Sequence, residues 1–282
     1  MAKVAFLGTG LMGSAMIEAM LRRGDEVRAW NRTLERARPL EKLGARLAST
    51  PAEAARGAER VHLLVSDDAA VDAVLEQARS GIGRDALVVD HSTVSPAGTA
   101  ARSRACEARG IAFLHAPVFM GPQQCREATG LMLCAGPEDR FERAAPALRP
   151  MTGKLWYLGA RPDVAAAYKL LGNAMLLVIV GGLADVYQLA AQLGIPATEA
   201  HGLFTSFKPG GVIDGRGKNM AEGNFKPTFE LVMARKDVRL MLEAAGGAPL
   251  TLLPALAARM DEVIARGHGA EDVGVIAADR RR

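Results

Sequence analysis

The opening of the chain switches between two hydrophobic rhythms. "KVAFL" (3–7) is a short apolar run closed by Gly8, the pattern of a strand buried on both faces. From Leu11 the apolar positions Met12, Ala15, Met16, Ala19, Met20 and Leu21 recur at helical spacing until Gly24. "DEVRAWNRT" (25–33) then predicts a second strand, which completes a βαβ unit. Further strands are predicted in "RVHLLVSDD" (60–68), "ALVVDHSTVSP" (86–96), "IAFLHAPVFMG" (111–121), "GLMLCAG" (130–136) and "KLWYLG" (154–159). Helical stretches fall between several of them, at 69–79 and 99–109. This alternation predicts an α/β fold with a doubly wound parallel sheet, whose ligands meet the loops at the carboxyl ends of strands, here after Val65, Val89 and Val118.

The rhythm changes at Asp163. Residues 163–193 read as one long helix, apolar nearly all round and therefore expected to be buried. Helices follow at 197–205, 229–245 and 251–266, with no strand signal among them. The expected organisation is an α/β domain over 1–162 and an all-α domain over 163–282, the second starting with an interdomain helix at 163–193. The longest apolar run, 174–184, ends at Asp185 and is too short for a bilayer, which needs about 20 residues. No membrane partner is expected, and the chain reads as cytoplasmic, with a homodimer or homotetramer suggested by the apolar helix.

Composition narrows this only slightly. The 282 residues are 49% hydrophobic and 23% charged, as in ordinary globular proteins. The net charge of +4 (35 basic against 31 acidic residues) comes from scattered arginines, and aromatics make up only 5%, so a nucleic-acid partner is not expected. Cys106, Cys125 and Cys134 have neither CxxC nor zinc spacing and read as reduced, packed thiols. The five histidines lack an HxxxH pair, so no metal is implied, and His91 and His115 read as loop residues.

The candidate chemistry begins with "GTGLMG". Gly8, Gly10 and Gly13, set between a strand and a helix, have the spacing of a dinucleotide-binding turn: one glycine for the turn, one for the approach of a pyrophosphate, one for helix–strand packing. Leu11 and Met12 would offer N–H groups at the helix start. At the end of the second strand, where an NAD enzyme usually carries an acidic residue, this chain has Asn31, Arg32 and Thr33. A guanidinium there can bind a 2′-phosphate, so NADP(H) is favoured, with NAD(H) still possible. Lys169 and Asn173 lie at i and i+4 and share a face of the long helix. An ammonium among apolar neighbours either reaches out along its stem or serves a site.

Together these motifs resemble the β-hydroxyacid dehydrogenase family, which includes 3-hydroxyisobutyrate dehydrogenases and glyoxylate/succinic-semialdehyde reductases and is akin to 6-phosphogluconate dehydrogenase. "VAFLGTGLMGSAM", "NRT", "DHSTVSP", "KLLGN" and "FELVMARKDVRLMLEAA" occur in that family's order, over almost the whole chain. The resemblance implies an N-terminal Rossmann-type domain and hydride transfer between nicotinamide and a small β-hydroxy acid or acid-aldehyde. It implies Lys169 as general acid/base with Asn173 beside it, Ser92, Thr93 and Gly121 at the substrate, and Val65, Ser66, Thr93 and Lys236 at the cofactor. The chain departs from the family at "HAPVFMG", where many members have "DAPVSGG": His115 replaces the acid, and Phe119 and Met120 replace serine and glycine. These bulky residues keep open an imine reductase of the same architecture, while a non-catalytic NADPH-binding sensor is the reading from a different class.

Overall fold

A computed structural model of the chain describes residues 2–280. Among the described residues there are nine strands: β1 (Lys3–Leu7), β2 (Glu26–Trp30), β3 (Arg46–Leu47), β4 (Arg60–Leu63), β5 (Leu87–Asp90), β6 (Ala112–His115), β7 (Val118–Phe119), β8 (Leu131–Cys134) and β9 (Lys154–Tyr157). The α-helices are α1 (Leu11–Arg22), α2 (Arg38–Glu41), α3 (Pro51–Ala55), α4 (Asp68–Ala78), α5 (Pro96–Ala108), α6 (Pro122–Glu127) and α7 (Glu138–Leu148) in the strand-bearing part. They are followed by α8 (Val164–Gln192), α9 (Ala197–Ser206), α10 (Lys218–Glu222), α11 (Leu231–Ala244) and α12 (Leu253–Val263).

The first six strands form one parallel sheet in the order β3-β2-β1-β4-β5-β6, with the reversal of winding at β1 and β4. This is the doubly wound α/β arrangement that the apolar runs predict. Apolar clusters lie on both faces: Val4, Phe6, Ile17 and Met20 belong to one, Leu7, Val61, Val74 and Val88 to the other. The expected single strand over 111–121 is in fact two. Pro117 cannot donate to a ladder, and the chain leaves the main sheet at His115. Val118–Phe119 then pairs antiparallel with β8, which pairs in parallel with β9, to make a separate three-stranded sheet.

Two compact units emerge, residues 1–173 and 174–282, so the first unit takes in the opening turns of α8 as far as Asn173. In the second unit Leu231, Val238, Met260 and Val275 share a core. Asp185, read from sequence only as the end of an apolar run, is buried and accepts from the backbone N–H groups of Thr251, Leu252 and Leu253. It thereby satisfies the N–H groups at the start of α12 from a distant helix. Burial pushes its pKa up, and these bonds outweigh that and hold it below the usual carboxylate range.

One expectation fails clearly. The long helix is not buried within the chain: Leu171, Leu177 and Val180 are 68%, 70% and 62% exposed, and Met175, Leu176, Val178 and Ile179 are exposed too. At 29 residues, α8 is also long and apolar enough to cross a membrane, which the 174–184 run alone is not. Apolarity on every side does not by itself imply burial within one chain, and here the chain leaves that surface uncovered.

Candidate active site

The glycine turn can be read position by position. Gly8 has φ +111°, a conformation that side chains rarely adopt, and a Cβ on it would collide with the Leu64 carbonyl oxygen. A Cβ on Gly13 would collide with the carbonyl oxygen of Gly8, because α1 leaves the turn pressed against it. Gly10 is different, since nothing lies within 4 Å of where its Cβ would be. That position borders open space at the N-cap of α1, where no side chain caps the helix and no acid occupies the first turn. Leu11 beside it is 82% exposed. Two glycines are required by the fold, and the third keeps clear a space that faces uncapped N–H groups, so the residues fit a dinucleotide pyrophosphate.

The β2 end is tied to this turn. Asn31 accepts from Thr9 N (3.0 Å) through Oδ1 and donates through Nδ2 to the Thr33 carbonyl (2.8 Å). Its side chain braces two loops. Arg32 and Thr33 are exposed, and the Arg32 guanidinium makes no ion pair with any described residue, which leaves all its donors available. Val65 follows β4, with its Cγ1 3.2 Å from where a Cβ on Gly8 would lie, closer than ordinary van der Waals contact. Ser66 is exposed and donates to Asp67, which caps α4 through Ala70 N.

Ser92 departs from the expected role. It is fully buried, with its Oγ accepting from Val65 N (3.0 Å) and its own N–H donating to Asp90 (2.9 Å). It locks the β4 and β5 loops together beneath the surface, and Thr93 is the exposed residue of the pair. Gly121, also expected at the substrate, caps α6 and donates its N–H to Gln124 Oε1 (2.8 Å). Lys236 lies in the second unit, on α11, where its amine pairs with Asp237 at 2.9 Å.

Under the β4–β6 loops is a feature the sequence reading missed. His62, His91 and His115 are all buried, and His115, expected in a loop, is the last residue of β6. The rings of Phe6, His62 and His91 stack, with His62 Nδ1 2.9 Å from His91 Nε2. His91 Nδ1 lies 2.7 Å from the Ala116 carbonyl, which can only accept, so His91 carries its proton on Nδ1 and offers a bare Nε2 to His62. By the same logic His115 donates through Nε2 to the Ser92 carbonyl (3.1 Å). Burial pushes all three below the ordinary histidine range, His91 to about 4, so they are neutral. A signal was present: "RVHL", "VVDH" and "AFLH" each place a histidine within one residue of the end of adjacent strands.

Lys169 completes the site. Its Nζ donates to the Val118 carbonyl (2.7 Å) and sits 4.2 Å from the centroid of Phe119. It is half-buried, burial lowers its pKa, and no described carboxylate pairs with it. The amine therefore does not run out to water along its stem. Asn173, one turn on, is also half-buried. Within the first unit hydrogen bonds lead from the loop after β4 to this corner: Val65 to Ser92, Ser92 to His115, and then along the chain to Val118 and Lys169. Met12 and Met120 pack on the same core cluster, and α6 is pinned to α1 by Arg126 and Glu18 (2.6 Å).

Comparison with known proteins bears on this arrangement. Residues 3–159 match the NAD binding domain of 6-phosphogluconate dehydrogenase. The chain is 29% identical to 3-sulfolactaldehyde reductase of Escherichia coli, over 98% of this chain and 95% of that one. It is 28% identical to the chloroplastic glyoxylate/succinic semialdehyde reductase 2 of Arabidopsis thaliana, over 95% of this chain and 76% of the relative. Among solved structures, the Streptomyces aurantiacus imine reductase superposes with a TM-score of 0.88 at 26% identity, covering 99% of each chain. A glycine turn shaped for a dinucleotide and a family match across more than half the chain agree: this protein is an NAD(P)-dependent oxidoreductase of the β-hydroxyacid dehydrogenase family.

Proposed function

We propose that the protein reduces the carbonyl group of a small aldehyde- or keto-acid with NADPH, using Lys169 as the proton donor. The observation that carries this reading is the placement of the Lys169 amine: half-buried, held by one backbone carbonyl and paired with no described carboxylate. The bound nicotinamide supplies the hydride. As negative charge develops on the substrate oxygen, an ammonium with two protons still unengaged can stabilise it and then deliver a proton. Burial lowers the lysine's pKa, which makes that transfer easier near neutral pH. Asn173, on the same helix face, would orient the amine or the substrate, and Thr93 lies on the exposed side of its loop.

Preference for NADP(H) rests on Arg32, whose exposed guanidinium follows β2 with no carboxylate beside it to repel a phosphate. The exposed apolar side of α8 supports a homodimer, with a second copy covering Leu171, Leu177 and Val180. A cytoplasmic location fits that reading. Imine reduction is the second reading, favoured by the apolar Phe119 at the amine and by the likeness to an imine reductase. NADPH oxidation measured with glyoxylate, succinic semialdehyde and a cyclic imine separates the two. Lys169→Ala should lower kcat by at least about a hundredfold with little change in NADPH affinity. Unchanged turnover would remove the lysine from its role.

A further inference from the structure

Phe119 stands where it can read the substrate. Its ring lies over the Lys169 amine, with 4.2 Å from Nζ to the centroid. It is also held in place. Its backbone is in register with Leu131 in the β7–β8 pair, its side chain packs on Leu133, Ala135 and Ala165, and a Cβ on Gly172 would collide with the ring. The ring cannot swing aside without disturbing both the small sheet and α8.

An ammonium has three protons. One goes to the Val118 carbonyl and one side faces the ring, which leaves one direction for a substrate oxygen. An oxygen about 3 Å from Nζ puts the carbonyl carbon little more than one further bond away. A substituent on that carbon turned toward the ring is then in van der Waals range of it. The ring face carries the negative lobe of the aromatic quadrupole and favours alkyl groups over anions. Two nearby backbone donors are engaged: the Gly121 N–H goes to Gln124 and the Ser92 N–H to Asp90. Met120 adds only apolar surface.

We propose that Phe119 is a specificity-determining residue that selects aldehydes whose carbonyl carbon bears an alkyl chain, with any carboxylate two or more carbons away, over those with the carboxylate attached directly. This rests on the reading of Lys169 as proton donor. It deepens that reading by naming the substrate class.

The test is a set of initial rates with the full-length enzyme and NADPH on three aldehydes: glyoxylate, succinic semialdehyde and butanal. The expected kcat/KM for succinic semialdehyde and butanal exceeds that for glyoxylate by at least about tenfold. Phe119→Ser should shift the succinic semialdehyde-to-glyoxylate ratio at least about tenfold toward glyoxylate, while Phe119→Leu keeps the wild-type order. A wild-type preference for glyoxylate, or an equal ratio in wild type and Phe119→Ser, overturns the proposal. The wild-type ranking decides even if the serine variant does not fold. If the wild type turns over none of the three, the Lys169 reading fails and takes this proposal with it, an outcome distinct from turnover with the wrong ranking.

Discussion

The three buried histidines should make the α/β unit acid-sensitive in a window where its carboxylates are silent. His91 titrates at about 4 in the folded chain, against an ordinary value of 6.5, because burial disfavours its charged form. A group with a lowered folded pKa binds its proton more readily when unfolded, so stability falls as pH drops from 6.5 toward the folded value. Between pH 7 and pH 5 the loss from His91 alone is about 2 kcal/mol, since each unit of difference is worth about 1.4 kcal/mol. His62 and His115 are also pushed down by burial and add loss of the same sign. Both tryptophans, Trp30 and Trp156, lie in the first unit, so their fluorescence during urea unfolding reports on that unit alone. The wild type should lose at least about 2 kcal/mol between pH 7 and pH 5, and His91→Gln, which cannot titrate, should lose about 2 kcal/mol less over the same interval. Equal pH losses in wild type and variant would show that these rings do not bear the proton cost assigned to them.

The other expectations concern single groups. Gly10→Ala should keep stability within about 1 kcal/mol but weaken NADPH binding at least about tenfold in a fluorescence titration, because its Cβ enters only the open space before α1. Gly13→Ala should do the reverse at the level of the fold, costing about 1–3 kcal/mol in urea unfolding through collision with the Gly8 carbonyl. Arg32→Asp should move the NADPH-to-NADH ratio of kcat/KM at least about tenfold toward NADH, and an unmoved ratio would place the phosphate elsewhere. Asp185→Ala should destabilise the helical unit by about 3 kcal/mol in thermal unfolding, since it strands the N–H groups that begin α12.

What could be read in the sequence is what local physics fixes. Strands β1 and β5 are short apolar runs closed by glycine or polar residues, and β2 alternates buried and partly exposed positions, so each shows a pattern with few other readings. The glycine spacing was legible because Gly8 and Gly13 answer local demands, a positive φ or a backbone collision, while Gly10 keeps open the space before α1. Three things escaped for reasons that are not local. The stacking of His62 on His91 depends on strand register, which joins residues 29 apart. Asp185 serves N–H groups more than 60 residues later. The exposure of α8 reverses an inference from apolarity to burial, since the sequence says that a surface needs covering and not which molecule covers it. The burial of Ser92 is a fourth case: the loop residue that faces out is Thr93, and alternation over two positions decides it.

The two ends of the site are held by different means, and this bears on how such an enzyme could change substrate. At the cofactor end, side-chain freedom is almost nil, because a single methyl group on Gly8 or Gly13 meets a backbone carbonyl. At the proposed substrate end, the lysine is anchored by the carbonyl of Val118, a group that every amino acid at that position would present. The next residue along the same short strand contributes the ring above the amine. A strand register fixes the backbone and leaves the side chain at 119 open to exchange, so serine, phenylalanine or another residue could stand there without moving the amine's anchor. The wall proposed to face the substrate can thus be replaced while the proposed proton donor stays in place. The exception is size: Gly172 makes the room that the Phe119 ring fills, so a bulky residue at 119 requires a glycine at 172, and Gly172→Ala should impair Phe119 packing yet be better tolerated beside Phe119→Ser.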